Sequence, residues 1–310
     1  MPFHISPIVA ALLVLAVPAR AETIFGVKSL SPGGTEVSTA PAVLFSFSDS
    51  SGTGVSIIGA VTRDSSQVDI DGLALSRTYG LLGFEMTGTD ASPTSRLVAI
   101  STSTAVATAV GSAMTGRSMR GAMFDRQDRL WVVDSAANSL LRIDPASGAV
   151  ISETPITVGG LPREISPGTD IAQRMDGTVV LTTYRFEQSG FDGPTFYTLD
   201  LDTGEATQAF VDTTPDPFFP SIPVYNSGLA AGGYDNTDVL FTLDGDANDD
   251  LFQYALPSYT RTTFNENFYP VFNAGGGDLA SLAPLEVPEP MTGGIFAAGL
   301  LALRGLRRGR

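Results

Sequence analysis

One short motif recurs along the chain, as Gly72-Leu73-Ala74, Gly121-Ala122-Met123, Asp170-Ile171-Ala172, Gly228-Leu229-Ala230 and Asp278-Leu279-Ala280. The intervals are 49, 49, 58 and 50 residues. A period in this range marks a supersecondary unit that buries its apolar faces only against copies of itself. Each motif opens a series of short runs rich in Val, Ile, Leu, Thr and aromatics, broken by Gly, Asp, Pro and Ser. That is strand chemistry punctuated by turns.

The clearest unit runs Gly121 to Asp125, Arg129 to Asp134, Ser139 to Asp144 and Ala149 to Thr154. Its last two runs flank Asp144-Pro145-Ala146-Ser147-Gly148, where Pro presets a turn and Gly takes a positive φ. The next unit repeats the plan with Asp170 to Arg174, Thr178 to Tyr184, Thr195 to Leu201, an Asp202-Thr203-Gly204 turn and Glu205 to Phe210. In the fifth, Asp238 to Leu243 and Asp250 to Leu256 supply the middle strands. Antiparallel four-strand units of this length, with no amphipathic helix between them, predict an all-β chain folded as a β-propeller. The run from Phe124 to Asp134, with Trp131 inside it, resembles the repeats of NHL-type and gluconolactonase-like propellers. The latter resemblance implies a divalent metal held in the central channel by carboxylates and amides, although no set of positions in this chain matches that ligand set.

The ends of the array complete one another. After Asp278 to Ala283 no room is left for three more strands, whereas Thr23 to Ser29, Ala42 to Ser48 and Gly54 to Thr62 lack a first strand. Pairing the strand at 278 to 283 with these three closes five four-stranded blades into a ring and covers two edges. A β-sandwich, an irregular solenoid and a ring of six or seven blades are the alternative architectures.

The chain begins with an apolar stretch from Pro7 to Val17, followed by Pro18-Ala19-Arg20-Ala21. A core of about ten residues is too short to span a bilayer of roughly 30 Å, and Ala19 and Ala21 form an A-x-A cleavage site, so residues 1–21 are expected to be a signal peptide removed by signal peptidase. At the other end Pro288-Glu289-Pro290 precedes an apolar run from Met291 to Leu303, and Arg304, Arg307, Arg308 and Arg310 close the sequence. Residues 291 to 306 as a helix reach about 24 Å, a marginal membrane span, and the arginines fix its C-terminal side in the cytoplasm. This order of motif, short helix and arginines resembles the PEP-CTERM sorting signal of Gram-negative bacteria. The resemblance implies recognition and cleavage of residues 288–310 by an exosortase-type membrane protease and delivery to an exopolysaccharide-rich surface. The body, 22–287, is then periplasmic while the tail is anchored, and afterwards on the cell surface or outside the cell.

That body carries thirteen basic and thirty-two acidic residues, a net charge near −19. Such a balance excludes a basic stripe for nucleic acid. The chain has no Cys, and its single His is His4, in the leader. Ser-His-Asp and Cys-His catalysis, His-bound zinc and disulfides are therefore not expected in the mature protein. Carboxylate chemistry and oxygen-ligated cations such as calcium remain.

Asp244, Asp246, Asn248 and Asp250 place oxygens at alternate positions, the pattern of a calcium loop. It departs from an EF-hand because Asp249 stands where Gly is needed and Ala255 where a bidentate Glu belongs, and a solvated turn is the preferred reading. Phe218, Phe219 and Tyr225 lie in the 58-residue interval, where they either stack on glycans or cap the core. Asp71, Arg120, Asp170 and Asp278 flank the innermost strands and can ring one mouth of the channel, while Trp131 is expected in the core. The leading functional expectation is a non-enzymatic surface or matrix protein that binds exopolysaccharide or another surface protein. The competing one is a carboxylate- or calcium-dependent lactonase, lyase or glycosidase.

Overall fold

In a computed structural model the chain is described over residues 22–29, 42–50, 55–89, 91–166, 168–187, 190–214, 226–232, 238–244, 251–265 and 277–282. It is all-β, a five-bladed propeller. The second blade is Asp69–Ser76, Gly80–Thr89 and Ser92–Ile100, with an outer position split between Ala107–Ala109 and Met114–Thr115. The third is Met119–Phe124, Leu130–Asp134, Ser139–Ile143 and Val150–Pro155. The fourth is Asp170–Gln173, Val179–Glu187, Gly190–Leu199 and Ala206–Val211, and the fifth Asn226–Gly232, Val239–Asp244, Leu251–Ala255 and Thr260–Asn265. The first is composite. Its inner strand is Gly277–Ala280, which pairs antiparallel with Thr23–Ser29, and Ala42–Ser48 and Ser56–Ala60 follow outward.

The closure expected from the leftover strands is therefore present, with Phe25 opposite Ala280 and Lys28 opposite Gly277. Sandwich and solenoid alternatives do not describe this ring. The five recurring motifs are the five innermost strands, and each inner strand packs against the next in chain order and back to the first. Core side chains divide accordingly into five clusters, one per blade interface, such as Ile70, Leu73 and Val98 with Val27 and Leu44, or Ile171 and Tyr197 with Trp131. Because each sheet has neighbours on both faces, a middle strand such as Leu130–Asp134 is buried at every position, whereas the outermost Val150–Pro155 is almost wholly exposed.

Two features add to the four-strand plan. The segment after Ile100 does not run as one outer strand: Gly111 interrupts it where a Cβ would lie 2.4 Å from the Ser147 carbonyl oxygen of the next blade. Two small hairpins, Thr62–Arg63 with Ser66–Gln67 and Thr157–Val158 with Leu161–Pro162, fill the crossings between blades one and two and between three and four.

Asp125 organises the third blade locally. Its carboxylate accepts the amides of Gln127 (2.9 Å) and Arg129 (3.0 Å), the Arg129 Nε (2.6 Å) and the Trp131 indole Nε1 (2.9 Å). This fixes the turn between the first two strands and sends Trp131, 5% exposed, into the core as expected. In the last hairpin Asp144 accepts from Ala146 N and Ser147 Oγ, and Gly148 takes φ +71°.

The expected signal peptide with Ala19 and Ala21, the expected sorting motif Pro288-Glu289-Pro290, the expected tail helix and Arg304, Arg307, Arg308 and Arg310 fall outside the described residues. Among the described residues no helix is long and apolar enough to cross a membrane.

Candidate functional site

The N-terminal ends of the inner strands meet at one mouth of the axis, and their local backbone explains which groups point there. In the second and fifth blades the ladder slips, between Asp71 and Ala74 and between Ser227 and Ala230. Gly72 (φ +60°) and Gly228 (φ +72°) make these bulges, since a left-handed residue without a Cβ is what such a slip requires. The bulges take the amides of Leu73 and Leu229 out of the ladder and leave them needing other acceptors.

The acceptors are carboxylates from other inner strands. Asp278 Oδ2 accepts from Leu73 N, and its Oδ1 from Leu279 N at 2.8 Å. Asp170 Oδ2 accepts from Leu229 N, and its Oδ1 from Ile171 N at 2.7 Å. The same position in the third blade is Gly121, where an added Cβ would come within 2.5 Å of Asp170 Cα. Asp170 and Asp278 are also hydrogen-bonded to each other, and both are almost fully buried. Burial first, then the Asp278 charge and the hydrogen bond to it, push Asp170 well above the usual carboxylate range. Burial pushes Asp278 up to about 7, against the pull of its bonds from Asp170 and Leu73 N.

Beside this pair, Arg120 Nη1 donates to Asp71 Oδ2 at 2.7 Å, and Arg120 Nε to Ser118 Oγ at 2.9 Å. Asp69 lies two residues before Asp71 on the same face of its strand. It is 5% exposed, its Oδ1 is buried without a hydrogen-bond partner, and burial, then the Asp71 charge, raises it to about 9. The raised titration of Asp69, Asp170 and Asp278 and the ion pair of Asp71 with Arg120 all lessen the negative charge that four aspartates would otherwise place at this mouth.

Further along the axis Ala74, Ala122, Ala172 and Ala280 converge around a cavity of about 10 Å³. That is space for about one water molecule at most. At this level, among the described residues, the axis is packed. A shallow, open groove of about 670 Å³ lies on the fourth blade, where Thr198, Thr203 and Thr207 stand with Asp200, Asp202 and Arg129.

Against the sequence expectations, the structure brings Asp71 and Arg120 into contact and joins Asp170 to Asp278, as a ring at the mouth requires. It gives them partners within the protein, however, and among the described residues no cluster of three acidic or His/Cys groups is arranged to hold a metal. Of the calcium loop, Asp244 ends a strand, while Asp246, Asn248 and Asp250 lie outside the described residues, as do Phe218, Phe219 and Tyr225. Asp69 escaped the sequence reading, although Asp69-Ile70-Asp71 at a strand start carries the signal in its alternation.

No family model and no curated protein sequence matches the chain. Solved structures superpose on it weakly. A protein of unknown function from Bacteroides thetaiotaomicron VPI-5482 does so with a TM-score of 0.47 at 11% identity, over 84% of this chain and 71% of that one. A chain of a nidogen/laminin complex gives 0.46 at 13% identity, over 84% and 99%. Virginiamycin B lyase from Staphylococcus aureus gives 0.36 at 12% identity, over 78% and 73%. The propeller assignment rests on this chain's own strand order and closure.

Proposed function

We propose that this protein is an exported binding module: a closed five-bladed disc, delivered by its C-terminal signal to the cell surface or extracellular matrix, where it holds exopolysaccharide or a surface protein. The observation that carries the reading is the closed axis. Among the described residues its carboxyls accept the amides of neighbouring strands, and the cavity between the inner strands, about 10 Å³, has no room for a substrate. Ligand contact then falls to the faces and to the long interval bearing Phe218, Phe219 and Tyr225. The leader, with Ala19 and Ala21, and the motif, apolar run and arginines of the tail support export, signal-peptidase cleavage and exosortase processing. Calcium at Asp244 to Asp250 is retained as an accessory of that reading.

A second reading is an enzyme acting on carbohydrate. Asp69 favours it, because a neutral carboxyl beside an ionised one is the pairing that general-acid chemistry uses.

Calorimetric titration of the processed protein with the producer's own polysaccharide separates the two. The binding reading expects a saturable heat with no rise in reducing ends, and affinity weakened about tenfold or more when Phe218 and Phe219 are replaced by Ala, for the loss of stacking worth 1 kcal/mol or more. Cleavage that disappears in Asp69→Asn establishes the enzyme. Absence of both heat and cleavage, with a protein ligand also failing to bind, rejects the proposal.

A further inference from the structure

We propose that Asp49 is the receptor for the α-ammonium of the processed chain: once the leader is cut after Ala21, the charged nitrogen of Glu22 pairs with this carboxylate and pins the start of the first blade. The inference rests on the export reading above. Glu22 N donates to Asp49 Oδ1 at 2.8 Å, and Asp49 N donates back to the Glu22 carbonyl at 3.1 Å. This reciprocal pair lies one step beyond Thr23 and Ser48, the last partners of the ladder between Thr23–Ser29 and Ala42–Ser48. Asp49 is 5% exposed, and the next partners along the ladder, Ile24 and Phe47, are buried. The residue that an A-x-A cut leaves first is thus already held, through its nitrogen, by a carboxylate withdrawn from water.

In the precursor this nitrogen is an amide with one hydrogen and no charge. Hydrolysis of the Ala21–Glu22 bond puts the hydroxyl of water on the Ala21 carbonyl carbon and its hydrogen on the Glu22 nitrogen. At neutral pH the new amine takes up the proton that the new carboxyl releases. The same atom then carries three hydrogens and a full positive charge, and a hydrogen bond to a carboxylate becomes an ion pair. Such a pair is stronger than its amide counterpart, most of all where one partner is shielded from water. No strand has to move for it to form.

Two carboxyls and one guanidinium lie within electrostatic reach of the site. Burial, then the Asp49 charge, lifts the carboxyl of Glu22 above its usual range, and Arg77 pulls it back. A cation at Glu22 N is attracted by both carboxylates and opposed by Arg77. Pairing with Asp49 raises the titration of the amine in the folded chain, so its contribution is complete below the ordinary amine range of about 7.7–8.0 and is lost as pH rises through the raised value. Thr23–Ser29 is also the strand that receives Gly277–Ala280. The cut that frees the chain from its leader therefore fastens the strand on which the ring closes.

The chain has a single lysine, Lys28, which is 1% exposed, so amine labelling of the processed protein reads the N-terminus almost alone. The full chain is expressed with its leader in a Gram-negative host and purified after processing. Pulses of acetic anhydride from about pH 6 to pH 10, followed by mass spectrometry of the N-terminal peptide, give the titration midpoint of the amine. That midpoint should lie about one unit or more above the ordinary range, and should return to it in Asp49→Asn and in wild type unfolded by guanidinium chloride. A wild-type midpoint within the ordinary range, or one that Asp49→Asn leaves unchanged, overturns the inference. Should the variant not fold, the native and unfolded wild type decide, and equal midpoints overturn it. A processed chain that begins at a residue other than Glu22 overturns the inference but leaves export standing, whereas one that keeps residues 1–21 overturns both.

Discussion

Deleting residues 274–287 should lower the thermal midpoint by about 10 °C or more, the largest stability effect expected of any short deletion in this chain. The deletion removes Gly277–Ala280, the inner strand of the first blade. Leu279 is fully buried against Phe45 and Phe241, at the interface of the first and fifth blades, and large-to-small changes at such sites cost about 2–5 kcal/mol. The buried amide of Leu73 loses its acceptor, Asp278, a further penalty of about 1–3 kcal/mol for a group left unsatisfied. Thr23–Ser29 becomes an open edge next to the axis, a site for pairing with other chains. For a domain of this size each kcal/mol moves the midpoint by about 2–4 °C, which gives the figure above. Differential scanning calorimetry of the two proteins measures it, and an unchanged melt means that the first blade is complete without the last strand.

Replacing Pro288, Glu289 and Pro290 by Ala should produce an even larger effect on location while leaving the melt unchanged. On the proposed sorting, residues 291–306 as a helix would reach about 24 Å against a hydrocarbon core of roughly 30 Å and would hold the chain only while the arginines stay at the cytoplasmic interface. With the motif intact, cell fractionation should show the body at the surface or in the medium, with a new C-terminus near residue 288 by mass spectrometry. With the motif replaced, nearly all of the protein should stay uncut in the membrane, and with residues 288–310 removed it should be soluble in the periplasm. A surface form that still carries residues 291–310 contradicts processing of the tail.

The ring was legible because it is a counting problem. Five inner motifs at near-constant spacing, and strands missing at one end that are present at the other, need no side-chain detail. The roles of Asp170 and Asp278 were visible only in outline. Asp stands at two of five positions where Gly stands at the other three, and both substitutions can be seen in the sequence. Their meaning depends on bulges at Gly72 and Gly228 that free two amides, and on which blade follows which around the axis, and neither is a property of local sequence. Asp170 and Asp278 looked like members of an open mouth; three-dimensional proximity turns them inward, onto backbone and onto each other. Asp69 was missed for the opposite reason, since its alternation with Asp71 was present but resembled ordinary strand-start chemistry. The split outer position of the second blade depends on Gly111 meeting the backbone of the third, a contact between units that repeat-by-repeat reading does not reach.

Closure and export are tested together by one engineered pair. Phe25 and Ala280 are direct partners across the closing register, and directly opposed residues of an antiparallel pair lie about 4.5–5.5 Å apart at Cα, within disulfide reach. The chain has no cysteine of its own to compete. Phe25→Cys combined with Ala280→Cys, expressed with its leader in a Gram-negative host and run without reductant, should migrate as a compact, internally bridged species with no oxidant added, because the periplasm is oxidising and the cytoplasm is not. The same protein without residues 1–21 should remain reduced in cells and bridge only when oxidised after purification. Free thiols at both positions in the exported protein, or bridges only between chains, would contradict a ring closed by its own ends outside the cytoplasm.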